Sequence, residues 1–273
     1  MVDFSDLLNV AKRAAVEAGQ EIMTIYQTDF EVDYKTDASP LTLADSTANE
    51  IIMQHLKTLD IPIISEENKT IAYAERKDRT QFWLVDPLDG TKEFIKKNDE
   101  FTVNIALIQE GIPVLGVIYV PVKNELYYND KESAYKLLNI KTSQDLNKAK
   151  SIELEPKSFS QEVVVVASRS HLSQETSDFI ERIKSCDGIK EIKTFSAGSS
   201  LKLCMIAEGK ADVYPRFAPT MEWDIAAGHA ICRANGVAVL QTDLQTELQY
   251  NKPNLLNPYF IVGSQGFIQN FNS

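Results

Sequence analysis

Trp83-Leu84-Val85-Asp86-Pro87-Leu88-Asp89-Gly90-Thr91-Lys92-Glu93-Phe94 reads as a buried strand that ends in two carboxylates, a bend at Pro-Leu, and a Gly-Thr start to a helix. Pro87 fixes its own φ and favours a tight bend. That bend can turn Asp86, Asp89 and the carbonyl of Leu88 toward one point. Three oxygens held close together cost energy unless a hard cation neutralises them, and Mg²⁺ takes ligands of this kind. A helix starting near Gly90 aims free N–H groups at an anion. A cation site beside an anion site points to phosphate chemistry.

Working outward, residues 61–64 form a second short apolar run, which ends at Ser65-Glu66-Glu67. If this strand lies parallel to residues 82–85, both carboxyl ends fall on one edge, where α/β sheets build sites. Upstream, residues 4–26 carry apolar side chains at helical spacing, from Leu7 and Leu8 to Ile22 and Ile25. The same pattern resumes from Leu43 to Leu56 after a polar, loop-like stretch at 29–40. Asp45 falls in the first turn of that second helix, where a carboxylate suits the dipole. Downstream, residues 101–108 and 114–120 around a Gly-Ile-Pro turn predict a hairpin, extended by 125–128 and 133–137.

Residues 141–160 are polar and without period, and read as a connection. Beyond them strand and helix patterns alternate: strands at 162–167, 189–195, 211–214, 237–240 and 259–262, helices at 173–185, 199–208 and 224–234. Gly209 and Asn235-Gly236 close the last two helices. The alternation predicts an α/β half.

The chain has 273 residues, 44% hydrophobic and 25% charged, with a formal charge of −11. That charge argues against a nucleic-acid polymer or an anionic membrane as the partner. A small phosphorylated substrate remains compatible, provided metals and a few cations reverse the sign locally. Cys186, Cys204 and Cys232 show neither a disulfide nor a metal-ligand spacing and read as reduced thiols. No integral membrane segment is expected, because residues 103–120 are broken by Gln109, Glu110, Gly111 and Pro113. Met1 leads directly into Asp3, Ser5 and Asp6, so no secretory leader is expected. The default compartment is the cytoplasm, with peripheral membrane association and oligomeric state left open.

Asp45, Glu66, Asp86, Asp89 and Asp224 all end strands or start helices. Singly, each has a plainer role as a cap or a solvated strand end. Together they would supply carboxylates for two or three divalent ions sharing a phosphate, about 3.5–4 Å apart in two-metal sites. So many clustered carboxylates do not all stay ionised without cations. An EF-hand loop would need ligands at Leu88 and Gly90, so that alternative fails.

Ser65-Glu66-Glu67, Asp86-Pro87-Leu88-Asp89-Gly90-Thr91, and Trp223-Asp224 followed by Ala226-Ala227-Gly228 resemble the magnesium-dependent, lithium-sensitive inositol monophosphatase superfamily. The resemblance holds in order and separation and spans nearly the whole chain. The flanking runs Lys92-Glu93-Phe94-Ile95, Phe101-Thr102-Val103-Asn104-Ile105-Ala106-Leu107-Ile108, Ala167-Ser168-Arg169-Ser170-His171, Gly198-Ser199-Ser200-Leu201-Lys202 and Tyr214-Pro215-Arg216-Phe217 look like its 3′(2′),5′-bisphosphate nucleotidase branch, the CysQ type.

The resemblance implies an α/β (α+β) fold, a layered α-β-α-β-α sandwich with the site between two halves. It implies one domain over 1–273, with subdomains of about 1–150 and 151–273. By the same resemblance, Glu66, Asp86 and the Leu88 carbonyl hold one Mg²⁺, and Asp86, Asp89 and Asp224 a second. A third, weaker Mg²⁺ near Glu66 is allowed. Thr91 and Asp45, with Glu66, carry the catalysis, Thr91 pairing with Asp45 to orient and deprotonate the attacking water.

The substrate positions so implied are Glu66, Leu88, Asp89, Gly90, Thr91, His171, Ser199, Lys202, Arg216 and Asp224. Arg216 and Lys202 grip the second phosphate, while His171 and Ser199 touch the nucleotide. The implied activity hydrolyses adenosine 3′,5′-bisphosphate to AMP and phosphate, with lithium inhibition. Inositol monophosphatase or fructose-1,6-bisphosphatase activity is the alternative, and a non-catalytic metal or nucleotide binder a third. The set Arg169, His171, Lys202 and Arg216 separates the first from the second, because a sugar monophosphate does not need it in full. The polar 135–160 region is longer than in compact bacterial members, which implies an altered surface strand and loop.

Overall fold

Alternate residues along the central strand are apolar on both faces, and that alternation sets the layering. The computed structural model describes residues 3–29, 31–34, 40–68, 71–168 and 173–271. The first part of the chain runs α1 (Phe4–Tyr26), β1 (Val32–Tyr34), β2 (Pro40–Thr42), α2 (Leu43–Leu56), β3 (Ile63–Ser65), α3 (Tyr73–Arg76), β4 (Gln81–Asp89) and α4 (Thr91–Ile95). A meander follows through β5 (Thr102–Gln109), β6 (Ile112–Val120), β7 (Glu125–Asn129), β8 (Ala134–Leu137) and β9 (Ile152–Glu153). The rest is β10 (Glu162–Ser168), α5 (Gln174–Lys184), β11 (Glu191–Ala197), α6 (Leu201–Ala207), β12 (Val213–Arg216), α7 (Glu222–Ala234), β13 (Val237–Gln241), β14 (Phe260–Ser264) and α8 (Gln265–Phe271).

Among the described residues, β3 to β9 form one sheet in sequence order, and a second sheet has the order β11-β10-β12-β14-β13. Trp83, Val85, Ile105 and Val117 pack against α1 and α2 on one face of the first sheet. Phe82, Leu84, Ala106 and Ile118 face the other way, onto α6 and α7. The same two helices cover Val164, Val166, Phe260 and Val262 of the second sheet. Val163, Val165, Val213 and Ile261 point outward, onto Phe179 and Ile183 of α5 and Phe267 of α8. The result is an α-β-α-β-α sandwich, as the resemblance implied. Each fully buried Leu, Ile or Phe contributes roughly 1.5–3 kcal/mol to this packing.

Helix α7 therefore lies between two sheets, and its approach is close. A Cβ on Gly116 of β6 would meet the Ala227 carbonyl oxygen at 2.1 Å. Strand β3 runs parallel to β4, so the two acidic strand ends share an edge as the sequence required.

Three details differ from the sequence expectations. The stretch expected as a loop at 29–40 contains β1, which pairs antiparallel with β2 in a separate two-stranded sheet; three residues are too few for a period to register. The bend expected at Pro87 is an irregularity inside a longer strand: β4 continues to Asp89, with the register to β5 shifting between Asp86 and Asp89. Pro87 has no N–H to give the ladder, so pairing skips it. The connection expected at 141–160 contains β9, which adds a seventh strand to the first sheet. Two residues are too few for a period to register in the sequence. No helix among the described residues is long and apolar enough to cross a membrane.

Candidate functional site

The parallel ends of β3 and β4 supply the first carboxylates. The Glu66 amide donates to the Val85 carbonyl at 3.1 Å, which sets Glu66 beside Asp86. Asp86 is 2% exposed, and its Oδ1 accepts from the Leu88 amide at 3.1 Å. Burial, followed by the charges of Glu66, Asp89 and Asp224, pushes its carboxyl well above the ordinary range.

Gly90 follows at φ +95°, and a Cβ there would meet the Glu100 carbonyl at 2.9 Å, so glycine is required on both counts. The chain then turns into α4, placing Thr91 Oγ1 3.1 Å from Asp45 Oδ1 and 3.3 Å from the Leu88 carbonyl. Asp45 caps its own helix with the other oxygen: Oδ2 accepts from the Thr42 amide at 2.8 Å and its hydroxyl at 2.6 Å. Capping at Thr42 and the bond from Thr91 thus use different oxygens of one carboxylate. Burial raises the Asp45 carboxyl above its usual value, opposed by the bonds from Thr42 and Thr91.

Asp224 repeats the device at the start of α7, where its Oδ2 accepts from the Met221 amide at 2.9 Å. Its carboxyl is also held well above the ordinary range, first by burial and then by Asp89. One oxygen of Asp89, Oδ2, accepts from Ser199 Oγ at 2.7 Å, Ser200 Oγ at 3.0 Å and Asn104 Nδ2 at 3.3 Å. Asp89, Gly90, Ser199, Lys202, Arg216 and Asp224 line one cleft between the halves, joined by Glu93 and Thr220.

Lys202 lies beneath this cleft. It is 5% exposed, and its ammonium donates to the carbonyls of Ser199 at 2.5 Å and Ala197 at 3.2 Å. Burial pushes it down to about 8. Those bonds brace the loop in which Ser199 adopts φ +50°. Arg216 gives one guanidinium nitrogen to the Pro219 carbonyl at 3.0 Å. Arg169 and His171 lie outside the described residues. The sequence reading treated Thr102, Asn104 and Ser200 only as flanking residues. For Thr102 and Asn104 the signal is two polar residues, spaced i and i+2, inside the apolar run of β5; Ser200 carries none.

The donor chemistry suits Mg²⁺: carboxylates and a carbonyl, all oxygen, in a half-buried cleft. Burial and mutual repulsion hold the carboxyls of Asp86 and Asp224 above the ordinary range, so a cation nearby would favour their ionised forms. Among the described residues, no three carboxylates already converge as ligands on a single point. The residues fit the ion by the chemistry of their donors.

The sequence profile described as "Inositol monophosphatase family" matches residues 3–270. The 3′(2′),5′-bisphosphate nucleotidase CysQ of Salmonella typhimurium is 42% identical over 260 residues, which cover 94% of this chain and 99% of that protein. The crystal structure of CysQ from Bacteroides thetaiotaomicron, a bacterial member of the inositol monophosphatase family, superposes with a TM-score of 0.82. It is 49% identical and covers 94% of this chain and 96% of that one. An inositol monophosphatase from Anabaena shares the fold, with a TM-score of 0.72 at 20% identity over 99% of this chain and 95% of that chain. Layered fold, carboxylate-lined cleft and full-length similarity agree: the chain belongs to the inositol monophosphatase family.

Proposed function

We propose that the chain is a Mg²⁺-dependent phosphomonoesterase that removes the 3′-phosphate of adenosine 3′,5′-bisphosphate, giving AMP and phosphate. The observation that carries the chemistry is the Thr91–Asp45 pair, 3.1 Å apart, at the edge of the carboxylate cluster. Full-length similarity to CysQ nucleotidases supports the substrate.

Glu66, Asp86, Asp89, Asp224 and the Leu88 carbonyl would hold two Mg²⁺, with a third near Glu66. When bound, Mg²⁺ supplies the positive charge that the cluster lacks and that phosphoryl transfer requires. Thr91 Oγ1 takes a proton from the attacking water while passing its own to Asp45 Oδ1. Water oxygen then bonds to phosphorus as the bond to the 3′-oxygen breaks, and the departing 3′-oxygen takes its proton from solvent water. Backbone N–H groups around Gly90 and Thr91 hold the scissile phosphate. Arg216 offers a planar fork to the second phosphate. Lys202 holds Ser199 in place and adds positive charge below the cleft.

Phosphate release across a panel tests this reading. Adenosine 3′,5′-bisphosphate should be the preferred substrate, with release dependent on Mg²⁺ and inhibited by lithium. A preference for inositol monophosphate or fructose 1,6-bisphosphate would reject the nucleotidase assignment and keep the chemistry.

A further inference from the structure

Strand β5 is buried on both faces, yet it carries Thr102 at 0% and Asn104 at 1% exposure. Polar groups so placed destabilise a strand unless every donor and acceptor finds a partner. Here the partners lie in other elements. Thr102 Oγ1 is 2.9 Å from Asn104 Oδ1 and 2.6 Å from Ser199 Oγ. Asn104 Nδ2 is 2.9 Å from Ser200 Oγ and 3.3 Å from Asp89 Oδ2. Ser200 Oγ in turn lies 2.8 Å from the Asp224 carbonyl.

Proton counting gives this cluster a direction. Asp89 as a carboxylate only accepts, so the amide of Asn104 must turn its NH₂ toward it. The reverse orientation would set the amide oxygen against the carboxylate. Asn104 Oδ1 then faces Thr102, whose hydroxyl supplies the proton it needs. The second Asn104 proton goes to Ser200 Oγ, which leaves the Ser200 proton for the Asp224 carbonyl. Ser199 donates to Asp89. Thr102 has spent its proton on Asn104, so the Ser199 proton is shared between Asp89 Oδ2 and Thr102 Oγ1, 2.6 Å away, and the chain of donors ends on Asp89 at one branch and on Asp224 at the other.

We propose that Thr102 and Asn104 are positioning residues that set Asp89 and Asp224 as a pair across the two halves of the molecule. The proposal rests on the assignment of both aspartates as Mg²⁺ ligands. Asp89 Oδ2 accepts from two donors, Ser199 Oγ and Asn104 Nδ2, with Ser200 Oγ 3.0 Å away, so the orientation of the whole carboxylate is decided before any cation arrives. Ser200 ties the first turn of α7, and with it Asp224, to the same amide. Outer partners of this kind hold metal ligands in register, and losing one typically lowers metal affinity about 10–100-fold.

Mg²⁺ binding to the full chain, measured by isothermal titration calorimetry, tests this independently of turnover. Thr102→Val keeps the volume and removes the proton that orients Asn104; it should weaken Mg²⁺ binding about tenfold. Thr102→Ser restores that proton and should stay within about twofold of the parent chain. Should Thr102→Val fail to fold, Ser200→Ala, which removes the hydroxyl that joins the Asn104 amide to the Asp224 carbonyl, should weaken binding in the same direction. Asp89→Asn serves as the reference and should weaken binding more than either. Weak binding in Asp89→Asn with parental binding in Thr102→Val or, failing that, Ser200→Ala overturns the positioning role alone. Thr102→Ser as weak as Thr102→Val does the same. Parental binding in Asp89→Asn overturns the ligand assignment, and the positioning role falls with it.

Discussion

Thr91 at the start of α4 gives its hydroxyl to Asp45 at the start of α2, across 3.1 Å. The two residues are 46 positions apart in the chain, and each is held by its own helix start, so the pair is preorganised by secondary structure. A hydroxyl with its proton already committed to a carboxylate is ready to accept one from water. Thr91→Val and Asp45→Asn should each lower kcat at least about 100-fold, the range for a positioned acid–base group. The double variant should be no slower than the worse single variant, because the two act as a unit. Steady-state kinetics check this, and multiplicative losses would separate the two roles.

Binding of Mg²⁺ to the native state alone should appear as stability. At a concentration about 100-fold above Kd, the gain is about 2.7 kcal/mol. A thermal melt with and without chelator should show the shift in the parent chain. Asp224→Asn, which removes one proposed ligand, should shrink it.

Lys202 titrates in the folded chain at about 8, below its ordinary 10.5, because burial disfavours its charge. Between these values the unfolded chain binds the proton and the folded chain has lost it, so this group makes stability rise with pH across that window. The slope is at most about 1.4 kcal/mol per pH unit for one proton. Urea titrations at several pH values should show the parent chain gaining on Lys202→Met between about 8 and 10.5. Parallel curves would refute the shift.

Gly116→Ala should damage the fold from the centre. Its new Cβ would lie 2.1 Å from the Ala227 oxygen, which is backbone of α7 and has no rotamer to change. Overpacking of this kind costs typically about 1–3 kcal/mol. Relief requires α7 to shift, and α7 carries Asp224. A lowered urea midpoint together with weaker Mg²⁺ activation would show that packing and site are linked through this helix.

Much of the site was legible in the sequence because its residues are local or mark element ends. Asp86, Leu88, Asp89 and Thr91 fall within six positions, and Glu66 ends a run whose parallel partner could be inferred. Asp45 was legible as a helix-start carboxylate, though its division between capping Thr42 and bonding Thr91 was not. The family resemblance gives Lys202 as a grip on the second phosphate. Only packing shows it 5% exposed and bonded to two carbonyls. Thr102 and Asn104 were visible as polar residues in an apolar strand, without any sign of the groups they serve.

The sequence by itself determined the chemistry, because carboxylates, a proline-linked strand end and a Gly-Thr helix start follow from residue types over a few positions. Its two periodicities also placed most of the helices and strands, while the layered sandwich follows from the sequence only as what the family resemblance implies. The tertiary structure alone decided which distant groups meet Asp89. Ser200 lies 111 positions away from it, brought there because α6 and α7 are clamped between two sheets. Such contacts depend on summed packing across layers, as at Gly116 against Ala227. Local propensity carries no record of them.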